Sequence, residues 1–169
     1  ARDLQDNLRW IREARRQADW VVVSVHCHEF GGASLLTAAT RAELEEPADF
    51  IVEFAHGVIE AGADIVVGHG PHFPLGIEIY KERPIFYSVG NLIFQNETVG
   101  FFPADAYERF DLDLKATPSD FLDARTSGGK KGHPSEPAYW ENMLALCEFS
   151  RGKLKTIKIH PIDQGFGRP

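Results

Sequence analysis

Gly62-Ala-Asp-Ile-Val-Val-Gly-His-Gly-Pro-His72 is the stretch on which the fold turns. Asp64-Ile-Val-Val67 is a short, β-branched apolar run closed by Gly68, the pattern of a strand buried on both faces. Upstream, Phe50, Ile51, Phe54, Val58 and Ile59 form an apolar helical stripe. Pro47 is read in the first turn of that helix, Asp49 near the positive end of its dipole, and Gly62 at its C-cap. Further upstream, Trp20-Val-Val-Val-Ser-Val25 is a second buried-strand run. It follows a helix marked by Leu4, Leu8, Ile11, Ala14 and Ala18. Strand, helix and similar strand predict a right-handed crossover between parallel strands of one sheet.

That topology bears on function. The loops after Val25 and Val67 must leave from the same carboxyl edge of the sheet, where ligand sites form in open α/β sheets. One loop begins His26-Cys-His28-Glu29 and runs on through Gly31-Gly32; the other begins His69-Gly-Pro-His72. Four of the seven histidines therefore collect at one edge. Histidine suits zinc-like and manganese-like ions, and ligands that start at strand ends are held rigidly. Gly70 lets the second loop turn sharply and Pro71 fixes it, so His69 and His72 can converge. Strand alternation places His26 and His28 on one side and Cys27 on the other. His56, His133 and His160 are read as structural or surface residues, and Glu29 as a general base or a partner of the ligands, with an exposed loop carboxylate as the other option.

The remainder is richer in β-structure. Gly76–Tyr80 and Pro84–Val89 flank Lys81-Glu82-Arg83 as a hairpin. Thr117-Pro118 caps a short helix reaching about Arg125. Residues 126–138 read as an exposed loop, and 139–149 and 154–160 as strands around Arg151-Gly152, with a helix as the other option for 139–149. A length of 169 residues suits one domain, and 43% hydrophobic with 25% charged residues is ordinary for a globular protein. A net charge of -7 argues against nucleic-acid binding, which needs a basic stripe, but bound metal ions leave an anionic substrate open. Cys27 and Cys147 are too few for a disulfide scaffold, and no apolar run is long enough for a membrane span. Asn96-Glu97-Thr98 matches a glycosylation sequon. There is no G-x-S-x-G elbow, Walker loop or dinucleotide fingerprint.

Trp20–His26, Gly62–His72 and Pro84-Ile-Phe-Tyr-Ser-Val-Gly-Asn91 together resemble the CapA family, named for bacterial capsule and poly-γ-glutamate synthesis, within the calcineurin-like metallophosphatase superfamily. Many members read Gly-x-His-Pro-His in the turn, whereas this chain reads Gly68-His-Gly-Pro-His72, displacing the first histidine by one position. The resemblance implies His26, His69 and His72 as ligands of divalent ions (manganese, zinc or iron), with His28 a local variant beside them. Asn91, which closes the Tyr87-Ser-Val-Gly-Asn91 segment, is read either as orienting ligand or substrate or as a turn residue after the strand. The aspartate motifs that the superfamily carries nearer its N-terminus find no counterpart before His26. The expected fold class is therefore α/β: the C-terminal portion of a four-layer α-β-β-α metallophosphatase-like sandwich, a parallel β-α-β unit followed by a β-rich segment. Residues 1–169 would form one incomplete domain. Its uncovered sheet face would favour self-association or a missing N-terminal segment. The expected function is a metal-dependent hydrolase acting on a phosphoester-type substrate or an anionic polymer. The other class considered is a non-catalytic binding module of a polymer or capsule assembly.

Overall fold

A computed structural model describes residues 2–30, 33–34, 46–93, 95, 98–113 and 115–166. Gly31, Gly32, Asn96, Glu97 and the last three residues, 167–169, lie outside the described residues, so the glycine loop and the sequon do too. Helix α1 spans Arg2–Gln17, with Asp3 in its first turn and Arg15 and Arg16 in its last, charges that match the helix dipole. Its apolar stripe buries Leu8 against α2, Asp49–Glu60. Pro47 stands before the N-cap rather than in the first turn. Ala48 is still extended, with ψ 145, so helical geometry begins only at Asp49. Ala61 is the C-cap, and Gly62 follows at φ 117, a left-handed-side conformation that a glycine takes without a Cβ penalty.

Strand β1, Val22–His26, and strand β4, Ile65–His69, pair in parallel, as the strand–helix–strand pattern predicts. Between them lie two short strands, β2 at Glu29–Phe30 and β3 at Ala33–Ser34, paired antiparallel. The predicted hairpin is β5, Ile77–Tyr80, and β6, Arg83–Phe86. Its turn residues Lys81 and Glu82 sit at φ 48 and 62, the pair of positive values a type I′ hairpin demands. The sheet order is β1-β4-β6-β5, with β4 and β6 parallel. The core lies under α1 and α2, where Val23, Val66 and Ile85 meet Leu8, Ala55 and Val58.

The rest of the chain forms α3, Ala104–Glu108, then α4, Pro118–Thr126, then a 3-10 turn, Pro137–Trp140. Thr117 and Asp120 form a reciprocal capping box at the start of α4. Strands β7, Glu141–Ser150, and β8, Lys153–Asp163, close the described chain as a long antiparallel hairpin, so residues 141–149 are strand and not helix. Within the segment read as an exposed loop, His133 is partly buried and its carbonyl accepts the indole N–H of Trp140.

Besides the place of Pro47, a burial expectation fails. The first strand is not buried on both faces: Val22 is 58% exposed. Among the described residues β1 is an edge strand, and the β7–β8 hairpin covers the second sheet face only in part. Trp20 meets Phe149 with ring centroids 5.0 Å apart. An apolar cleft of about 500 Å³ remains between Val22, Ile65, Val67 and Phe86 of the sheet and Ala145, Cys147 and Phe149 of the hairpin. The chain is thus a mixed α/β fold with parallel and antiparallel pairing.

Candidate functional site

The parallel register sets His26 directly beside His69 at the carboxyl ends of β1 and β4. The pairing continues one residue further, where Cys27 N–H donates to the His69 carbonyl at 2.8 Å. The two imidazoles meet through their Nδ1 atoms at 2.8 Å. His26 and His28 lie on one side, as alternation requires, with Nε2 atoms 3.0 Å apart. The ring of His28 packs in turn on that of His72, centroids 5.5 Å apart. A run of imidazoles therefore connects both loops.

Backbone makes this approach feasible. Gly70 has φ 123, and a Cβ there would stand 2.4 Å from the Cys27 carbonyl oxygen and 2.8 Å from His28 Cδ2. Only a residue without a side chain lets the second loop press against the first. His72 itself is held at φ 70, a left-handed conformation uncommon outside glycine and concentrated at functional positions. Its Nδ1 lies 3.1 Å from Asn91 Oδ1. With the Nδ1 proton donated to that amide, the lone pair resides on Nε2, the way a neighbouring oxygen sets a ligand tautomer. Asn91 Nδ2 is buried and has no hydrogen-bond partner among the described residues.

Burial lowers the pKa of His69, and the neighbouring His26 lowers it further. Burial also lowers that of His28, helped by His26 and His72. Both rings are thereby neutral near pH 7, with lone pairs to offer. Glu29 does not face the imidazoles. Its carboxylate accepts from the Cys27 thiol at 3.0 Å and from His28 N–H at 3.2 Å. The thiol hydrogen bond holds Glu29 below its ordinary range, while burial and the same carboxylate push Cys27 up to about 11.

Three residues at this edge escaped the sequence reading. Ser24 Oγ lies 2.9 Å from His69 Nε2, so His69 is contacted at both ring nitrogens. Ser24 sits two residues before His26 on the same strand, and alternation was the signal that could have found it. Gln164 Nε2 donates to the carbonyls of Asn91 and Leu92 at 2.6 and 2.7 Å. Asn142, 5% exposed, lies so near Gly90 that a Cβ there would be 2.1 Å from its Oδ1. These last two come from the distant hairpin segment, and no local pattern announces them.

As a metal centre the donors fit in kind but not in number or charge. Imidazole nitrogens suit the ions named above. A pair of ions a few Å apart needs a bridging carboxylate against their mutual repulsion, and Glu29 is turned to Cys27. The nitrogens of His26 are both engaged with other rings. Among the described residues no group of three or more His, Cys, Asp or Glu side chains stands in a metal-holding arrangement. The described residues by themselves do not complete a two-ion site.

An α/β sheet with a histidine-lined carboxyl edge is a class shared by many metal-dependent and ligand-binding domains. The comparison with known proteins narrows it: residues 1–96 match the family described as bacterial capsule synthesis protein PGA_cap, and the chain belongs to that family. It is 38% identical over 173 aligned positions to the uncharacterized protein y4sH of Sinorhizobium fredii, which takes in 99% of this chain but 35% of that protein. It is 39% identical over 85 positions to the PGA biosynthesis protein CapA of Bacillus subtilis, covering 50% of the chain and 19% of the relative. A probable polyglutamine synthesis accessory protein of Mycobacterium tuberculosis is 36% identical over 101 positions, 60% of this chain and 22% of that one. The chain thus spans about a third of the length of the relative it matches throughout.

Proposed function

We propose that this chain is the histidine-bearing portion of a CapA-type domain that acts in the synthesis or handling of a capsule polymer such as poly-γ-glutamate. The complete domain is a four-layer metallophosphatase-like sandwich and a metal-dependent hydrolase for a phosphoester-type or anionic-polymer substrate. His26, His28, His69 and His72 are its share of the metal ligands, and Asn91 orients ligand or substrate. The observation that carries this reading is the parallel register placing His26 beside His69, with the His28 and His72 rings packed together. Relatives named for PGA biosynthesis and polyglutamine synthesis support the polymer context.

The test compares this chain with a version extended to the length of its relatives. Calorimetry with manganese and zinc, and hydrolysis of a generic phosphodiester, are measured on both. The short chain should bind weakly and turn over little, because neutral imidazoles supply no bridging charge. The extended protein should bind two ions and hydrolyse the ester, and His72→Ala should abolish both properties. An extended protein that takes up no ion would replace this reading with that of a non-catalytic binding module. Equal rates in both lengths, lost in each with His72→Ala, would mean the short chain already holds a complete site.

A further inference from the structure

At the end of the sheet opposite the histidines, two hairpin turns come together. The β5–β6 turn, Lys81-Glu82, precedes Arg83, whose guanidinium reaches Asp64 at the amino end of β4. The β7–β8 turn, Arg151-Gly152, sits against it, because Lys153 Nζ lies 2.9 Å from Glu82 Oε2. Between them opens a hollow of about 680 Å³ lined by Glu82, Ser150, Arg151, Lys153, Leu154 and Lys155.

Two features of the backbone build this hollow. Arg151 occupies φ 52 in its turn, a left-handed position that glycine or asparagine takes at lower cost. A β-bulge in the hairpin pairs Phe149 with Leu154 and Glu148 with Thr156, leaving Lys155 as the extra residue. Regular alternation would turn Leu154 away from its neighbours, yet Lys153, Leu154 and Lys155 all line the same hollow. Three cations there face one carboxylate, and only Lys153 is paired with it. Among the described residues neither Arg151 nor Lys155 has an ion-pair partner. In a chain of net charge -7 this is a local reversal of sign.

We propose that this hollow is a holding site for a flexible polycarboxylate chain, remote from the histidine edge. The inference rests on the polymer-handling reading above for the identity of the polyanion. Arg151 and Lys155 supply the charge that attracts carboxylates, and Leu154 supplies an apolar contact for the methylene groups between them. Among the described residues that line the hollow there is no aromatic side chain on which a nucleobase could stack, which sets this polymer apart from single-stranded nucleic acid. By the β4–β6 register His69 is level with Ser88, so Glu82 at the hollow lies six strand residues, roughly 20 Å, from the imidazole level.

The test uses the full chain and a short fluorescein-labelled oligomer of γ-linked glutamate, followed by anisotropy at low and high salt. The wild-type chain should bind at low salt and release the oligomer as salt rises. The double variant R151Q/K155Q should bind at least about fivefold more weakly, with a flatter salt dependence. K130Q/K131Q removes the same charge from exposed lysines elsewhere and should leave affinity unchanged. Equal weakening in both double variants, or no binding by the wild type, overturns the site. Equal capture of oligothymidylate through Arg151 and Lys155 overturns the carboxylate assignment. An extended protein devoid of metal and hydrolysis would defeat the hydrolase reading while leaving this binding measurement intact.

Discussion

Strand β4 carries a charged group at one end and a titratable one at the other, and the two ends are built on opposite principles. At its amino end Asp64 is 2% exposed. It accepts from Val21 N–H and Arg15 Nη1, each at 2.9 Å, and Arg83 Nη1 stands 3.0 Å away, close enough for charge pairing though without hydrogen-bond alignment. A buried carboxylate is tolerated only when compensated in this way. At its carboxyl end His69 meets Ser24 and His26 among largely exposed groups. Those contacts are single hydrogen bonds between groups that water or a ligand can also satisfy. The amino end holds the fold together, and the carboxyl end leaves polar atoms available for chemistry.

If this division is right, the largest effect on stability comes from Asp64→Ala. It strands the Arg83 guanidinium and leaves Val21 N–H without its acceptor. The expected loss is about 3 kcal/mol in urea unfolding, below the full value for a buried pair because Arg15 is 42% exposed. A loss under about 1 kcal/mol would show that solvent already compensates these charges.

Gly70→Ala probes the other end through its backbone. The added Cβ meets the Cys27 carbonyl at 2.4 Å, and φ 123 is foreign to alanine. A destabilisation of about 2 kcal/mol is expected. The imidazole resonances of His28 and His72 should shift together in NMR spectra. Unchanged stability and unchanged ring resonances would mean that the two loops do not press together.

The smallest effect on stability, but a clear one on reactivity, comes from Glu29→Ala. The thiolate is the reactive form of a cysteine, and at a pKa of about 11 little of Cys27 is thiolate at neutral pH. Its alkylation by iodoacetamide should be slow near neutrality and climb with pH toward that value. Removing Glu29 takes away an acceptor and a negative charge that both favour the thiol, so alkylation should accelerate at neutral pH. Unfolding free energy should change by less than about 0.5 kcal/mol, as for an exposed side chain. An unchanged alkylation profile would show that burial alone raises this thiol.

Much of the scaffold was legible along the chain, because it depends on local period and local turns. The β-branched runs before His26 and before His69, with an amphipathic helix between, are enough to call for parallel strands. Lys81-Glu82 and Arg151-Gly152 lie between apolar runs and become hairpin turns. Thr117-Pro118 announces the start of α4, where the structure adds Asp120 as the reciprocal partner of a capping box. Burial was less legible. The strand at Val22 reads as doubly buried from composition, but whether a strand lies at an edge depends on what pairs beyond it.

The sequence by itself determined that four histidines leave from two parallel strand ends, since topology follows from hydrophobic period and crossover rules. It determined too that the family is one named for capsule synthesis, since its motifs lie within residues 1–96. Only the tertiary structure decided that His26 pairs with His69, that Glu29 turns to Cys27, and that Asn142 and Gln164 reach the loop carrying Asn91. The physical reason is range. Periodicity and turn chemistry act over a few residues, whereas register, side-chain orientation and the approach of segments some 50 to 70 positions apart are fixed by packing of the whole sheet and hairpin.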